Sequence, residues 1–234
     1  MGKKKIYWIA LVAAIVIAAT TVYVIMRQEE TKLEQGMDAG AGQINNGVQL
    51  SLFHVEDQPV KGEREAPIQI VEIGDYKCPS CKRWSESVYP QLEETYINSG
   101  QAAFYYMNEA FLGPDSLYAA MAGEYMLDKL GDDGFWQFHE LLLAQQGSKD
   151  EEWASIEFLT ALVTEHFPEI NADDFRTALE QHTYEPQVQA DMNIAEQIEV
   201  ERVPSVYVNG ILVDGMSYED VQAIIDAELT RLGQ

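Results

Sequence analysis

Both cysteines of this chain lie in one short stretch, VEIGDYKCPSCKRW (71–84), with two residues between Cys78 and Cys81. The pair follows an almost continuous apolar run, IQIVEI (68–73), rich in β-branched residues, which reads as a buried strand. A C-x-x-C placed where a strand gives way to a helix points to redox chemistry. The first turn of a helix offers free N–H groups and the positive end of the dipole, and both stabilise a thiolate. Pro79 suits the first helical position, where a missing N–H costs nothing. Cys78 is then the attacking or leaving sulfur, and Cys81, further into the helix, resolves.

Other uses of two thiols fit poorly. A bridge across two residues closes almost no loop and contributes little to stability. A zinc site needs about four ligands, and His54, His139, His166 and His182 show no paired spacing. No metal site is therefore expected. GDDG (131–134) and NADD (171–174) are better explained as turns and helix caps than as cation ligands.

Residues 6–26, IYWIALVAAIVIAATTVYVIM, carry no charge and are long enough as a helix to cross a bilayer. Lys3, Lys4 and Lys5 precede them, so the positive-inside tendency keeps the N-terminus cytoplasmic and exports the rest. Residues 1–27 are expected to be an uncleaved membrane anchor; a signal peptide cleaved after Val16-Ile17-Ala18 is the competing reading. Disulfides persist on the exported side. Residues 28–46 are polar and glycine-rich and read as a flexible tether. Net charge is −24, and the chain after Arg27 holds 11 basic against 39 acidic residues. That excludes nucleic acid as a partner, because phosphate binding needs the opposite sign.

The remainder, 47–234, reads as one domain. VQLSLFH (48–54) alternates and suggests a first strand; DQPVKGEREAP has turn chemistry. After IQIVEI, a helix should run from the cysteines toward Tyr96 with a kink at Pro90, and AAFYYMN (102–108) should be the next strand. About 113–200 is helical in character, with apolar residues at three- and four-residue spacing. VPSVYV (203–208) returns to strand, and Asn209-Gly210 turns it into a hairpin. Ser217 and Asp220 have capping-box spacing at the start of a last helix.

EIGDYKCPSCK, followed after the helical block by Val203-Pro204 and SVYVNG, resembles the DsbA family of exported thiol–disulfide oxidoreductases, in its membrane-anchored Gram-positive BdbD-like form. The resemblance covers roughly 55–232, and the 126-residue step from Cys78 to Pro204 leaves room for an insertion that a minimal thioredoxin lacks. It implies an α/β thioredoxin fold with a helical domain inserted between the βαβ unit and the C-terminal hairpin and helix. It implies that Val203-Pro204 is a cis peptide facing the cysteines, that the Val203 backbone pairs with extended substrate alongside Pro79 and Ser80, and that Pro204 keeps competing groups off the sulfurs. It assigns Glu72 to proton exchange with Cys81. From the residues alone, Glu72 is either a buried acid of raised pKa or an acid at an exposed strand edge.

The implied function is introduction of disulfides into exported unfolded proteins, with no cofactor beyond the Cys78–Cys81 pair and reoxidation by a membrane quinone-linked DsbB-like thiol oxidase. A reductase and a non-catalytic thioredoxin-fold chaperone are the rival readings. The strongest oxidants of the family carry histidine where this chain has Ser80, which brings a hydroxyl and no charge. Lys77, Lys82 and Arg83 crowd the helix start, either as thiolate stabilisers and guides for acidic partners or as solvated surface charges. Trp84, Trp136 and His139 are expected in the core rather than on a substrate surface.

Overall fold

In the computed structural model, residues 47–233 are described. The anchor expected at 1–27 and the tether expected at 28–46 lie outside them. Among the described residues no helix is long and apolar enough to cross a membrane.

IQIVEIG forms the central strand β2 (Ile68–Gly74), every residue of which except Gln69 is buried. It pairs in parallel with β3 (Ala102–Asn108) and antiparallel with β4 (Ser205–Val208). Short edge strands β1 (Val60–Lys61) and β5 (Ile211–Leu212) complete a five-stranded sheet of order β1-β3-β2-β4-β5. A strand buried on both faces has no reason to alternate, which is why IQIVEI reads as continuous apolar sequence.

Helix α1 (Pro79–Ser87) is the next element after β2, reached through residues 75–78. It breaks before Pro90 and resumes as α2 (Tyr89–Leu92) and a π-helical turn over Glu93–Ile97. The inserted block is α3 (Pro114–Ala144), α4 (Ile156–His166), α5 (Ala172–Glu180) and α6 (Glu185–Gln197). Helix α7 (Tyr218–Leu232) closes the chain and carries the expected capping box between Ser217 and Asp220. Its Val221, Ile225 and Leu229 join Ile68, Ile70, Phe104, Tyr106 and much of the inserted block in one core; Val71, Ile73, Tyr105 and Tyr207 build a second core on the other sheet face. Trp84, Trp136 and His139 are buried in the first of these layers or against it.

Two local expectations are corrected. Residues 48–54 are not a strand: Gly47 makes a single bridge to Ile211, and Leu50–Phe53 then form a 3₁₀ turn ending at left-handed His54. The alternation is real but serves packing, since Phe53 lies 5.0 Å from the Tyr207 ring, and β5 is only two residues long and offers little to pair with. Conversely β1 lies inside DQPVKGEREAP, where turn chemistry masked it. Its two residues are too few to show a period, and Asp132 fixes it by accepting from Val60 N at 2.8 Å. That aspartate belongs to the GDDG turn, where Gly131 (φ 70°) interrupts α3. The strand expected at 203–208 starts only at Ser205, after the cis Val203-Pro204 peptide; Pro204 has no N–H to give a ladder.

Candidate redox site

The loop Asp75-Tyr76-Lys77 delivers the chain from β2 to Cys78, whose extended backbone (φ −77°, ψ 117°) makes it the N-cap of α1 with Pro79 inside the first turn. Cys78 N donates to Asp75 O (2.9 Å), and Lys82 N donates to Cys78 O (3.2 Å). Gln146, from the end of the α3 segment, donates to Tyr76 O (2.7 Å) and Cys78 O (3.1 Å). Val203, 125 positions along the chain, brings its carbonyl to within 3.5 Å of Cys78 Sγ. The cis Val203-Pro204 peptide is therefore at the sulfurs, as the resemblance implies. Both cysteines are free thiols.

The two thiols differ sharply. The Cys81 S–H donates to the Cys78 sulfur, and the backbone N–H groups of Cys81 and Ser80 add to it. Together they outweigh burial and the opposing charge of Asp75, bringing Cys78 down to about 6. Cys81 is pushed well above the ordinary thiol range, first by burial, then by its bond to Cys78 and the charge of Glu72. At neutral pH the outer sulfur is an anion and the inner one is not.

Glu72 stands on β2 opposite Tyr106 and Val206, so it occupies the centre of the sheet and not an edge. It is only 2% exposed. Burial first, and the Cys78 charge second, raise it to about 8, with no hydrogen bond offsetting either. It is a protonated acid at neutral pH, electrostatically linked to both sulfurs.

The basic residues separate. Lys77 is neither solvated nor turned to the sulfur: its ammonium donates to Asp115 Oδ1 at 2.6 Å, with both side chains about 3% exposed. Asp115 Oδ2 in turn accepts from Ala154 N (3.1 Å). The surface reading therefore fails for Lys77, because a buried carboxylate of the insert offers it a partner that the local sequence does not reveal. Arg83 is exposed and donates to Ser80 Oγ (2.8 Å); Lys82 donates to Ala144 O (3.0 Å).

Asp75 and Gln146 were not singled out from the sequence. For Asp75 a signal existed, since an Asp accepting from the N–H two residues on makes an Asx turn, and Asp75 Oδ1 accepts from Lys77 N at 2.7 Å. Gln146 left none, because its partners are about 70 residues away.

Away from the cysteines, Gln58, Asn108, Glu124 and Asp191 form a buried polar group. Asp191 accepts from Gln58 Nε2 (2.8 Å) and Asn108 N (2.9 Å), and Glu124 from Asn108 Nδ2 (2.8 Å). Burial raises both acids, with the charge of Asp191 adding at Glu124 and that of Asp57 adding at Asp191. Oxygen donors of this kind suit hard cations; the exposed trio His54, Glu56 and Asp57 brings two carboxylates and one ring nitrogen within 4.8 Å of one another. Neither lies in the stretches GDDG and NADD; Asn171 of the latter instead caps α5 by accepting from Asp173 N and Asp174 N.

Residues 54–227 match the thioredoxin family Thioredoxin_4. The chain is 32% identical over 220 residues to the probable disulfide bond formation protein D of Bacillus anthracis, covering 94% of this chain and 93% of that protein. It is 32% identical over 199 residues to the disulfide bond formation protein D of Bacillus subtilis, covering 85% of each. The crystal structure of oxidised BdbD from Bacillus subtilis superposes with a TM-score of 0.72 at 31% identity, over 75% of this chain and 95% of that one. A DsbA from Chlamydia trachomatis, at 20% identity and a TM-score of 0.67, shares the fold.

Proposed function

From the premise that this chain belongs to the DsbA-like thioredoxin family, as a relative of the disulfide bond formation proteins D, we propose that it is a thiol–disulfide oxidoreductase that is tethered to the membrane by residues 1–27 and introduces disulfides into exported proteins through Cys78 and Cys81. The direction of flow is supported by the asymmetry of the pair: Cys78 at the start of α1, brought down to about 6 by the Cys81 S–H and the N–H groups of Cys81 and Ser80, and buried Cys81, pushed up by burial.

In the oxidised enzyme the two sulfurs share a bond. A substrate thiolate attacks Cys78 Sγ, that bond breaks, and Cys81 departs as a thiolate. Glu72, protonated up to about pH 8, gives Cys81 its proton and regains one from solvent. A second substrate thiolate then attacks the substrate sulfur of the mixed disulfide. Cys78 leaves as a stable thiolate, and the substrate has lost two electrons to the enzyme. The Val203 backbone, with Pro79 and Ser80 beside it, holds an extended substrate segment, and Pro204 shields the sulfurs. Exposed Phe111, whose N–H is fixed by Asp75, offers apolar surface to an unfolded chain. A membrane quinone-linked thiol oxidase of the DsbB kind would return the pair to the disulfide.

Three measurements test this reading. Equilibration with glutathione should give a potential well above ~−270 mV, the thioredoxin value; a potential at that value favours a reductase. Cys81→Ser in cells should trap exported proteins as mixed disulfides, whereas a non-catalytic module would trap none. Fractionation should leave the full chain in the membrane pellet after an alkaline wash, and recovery in the soluble fraction would remove the tether.

A further inference from the structure

Asp75 is 2% exposed, and its two oxygens accept four hydrogen bonds. Oδ1 takes Lys77 N (2.7 Å) and Ser116 Oγ (2.6 Å); Oδ2 takes Phe111 N (3.1 Å) and Leu112 N (3.0 Å). One carboxylate thus ties the redox loop to both the segment after β3 and the first turn of α3. Four donors occupy both oxygens, and one of them, Ser116, lies in the first turn of α3, at the positive end of its dipole. Next to it lies the Lys77–Asp115 ion pair. These three buried groups sum to one net negative charge just behind Cys78.

We propose that Asp75 is a positioning residue of the thiol–disulfide reaction: it fixes the loop that presents Cys78, and its negative charge, which no cation neutralises because Lys77 is paired with Asp115, opposes the thiolate and so limits how oxidising the pair becomes. The inference rests on Cys78 and Cys81 being the redox pair. The charge of Asp75 acts on Cys78 in the raising direction, against the Cys81 hydrogen bond and the backbone N–H groups. Other groups facing this region are Glu72 from β2, Cys81 from α1 and half-buried Glu109 after β3, which burial and then Asp75 itself raise. Lys77 is committed to Asp115.

The test uses two substitutions in the full chain whose effects on the potential have opposite signs although both remove anchoring bonds. Asp75→Asn removes the charge. The equilibrium constant with glutathione should move about tenfold toward the reduced enzyme, equivalent to ~30 mV, and the ultraviolet titration of Cys78 should shift to lower pH. Ser116→Ala removes one donor and leaves the carboxylate less compensated, so the constant should move two- to threefold toward the oxidised enzyme. A purely structural Asp75 predicts lower thermal midpoints for both variants with constants unmoved or moved in the same direction, and that result overturns the inference. If Asp75→Asn does not fold, Ser116→Ala decides alone: a constant unmoved or shifted toward the reduced enzyme overturns it. Should the wild-type chain itself show no two-electron equilibrium with glutathione, the redox-pair reading fails instead.

Discussion

Glu72 and Asp75 are three residues apart, equally buried, and chemically almost the same, yet the fold treats them in opposite ways. Glu72 projects from the middle of β2 into an apolar layer, where no hydrogen bond offsets burial and its carboxyl is pushed up to about 8. Asp75 lies one step past the strand, where backbone and hydroxyl donors from the redox loop and the insert saturate it. What a buried acid does is set by the donors around it. One without donors holds a proton and can give it away; one that is saturated ties segments of the fold together.

The largest effects should come from the sulfurs of the proposed redox pair. Cys78→Ser should abolish oxidation of a reduced model protein, followed by refolding activity, while residual turnover would show that chemistry lies elsewhere. Next, Glu72→Gln removes the proposed proton donor. The oxidation rate should fall ~10²-fold and lose its dependence on a group near pH 8, because general acid catalysis contributes about that much. A rate and profile like wild type would make Glu72 inert.

The same substitution bears on stability. The folded protein keeps a proton on Glu72 that the unfolded chain releases, since the folded value of about 8 exceeds the ordinary value of 4.5. Glu72 therefore costs nothing below the unfolded value, costs progressively more as pH rises between the two, and costs its full amount above the folded one. Glu72→Gln should remove a penalty of a few kcal/mol at pH 8 (order of magnitude,) and flatten that limb of the stability curve measured in urea. An unchanged slope would contradict the burial argument.

On the other side of the comparison, Lys77→Met breaks a buried ion pair by removing one partner and strands Asp115 at 3% exposure. Stability should fall by about 3–5 kcal/mol. The double variant Lys77→Met with Asp115→Leu should recover much of that, and equal losses in both would show that the pair's charges are not what matters. The smallest effect is expected at Arg83→Ala. That side chain is exposed and bonds Ser80 only, so stability should change by less than about 1 kcal/mol. A large change in stability or potential would mean that Ser80 passes the guanidinium charge to Cys78.

The site was legible where its signals are local. C-x-x-C after an apolar strand located Cys78, Cys81 and α1, and a carboxylate within IQIVEI flagged Glu72, although only the sheet order excludes an exposed edge. The Ser217–Asp220 spacing and the Asn209-Gly210 turn fixed the last helix and hairpin. Illegible residues were those whose partners are distant in sequence. Lys77 reads as one of three basic neighbours until Asp115 meets it, and Gln146 reads as loop. The alternation of 48–54 misled, because a 3₁₀ turn can bury the same side chains without a strand to pair with.

By itself, then, the sequence determined what each segment prefers: a strand buried on both faces, a helix opening on a cysteine, a helical block, a tight hairpin. These follow from side-chain sterics, capping and periodicity within a few residues. Only the tertiary structure decided what those segments do to one another. Val203 reaches Cys78 across 125 positions, and Asp115 and Ser116 meet a loop about 40 positions earlier. The charge on a thiol, a lysine or an acid depends on the dielectric and the donors that chain closure brings to it, and no local pattern carries that information.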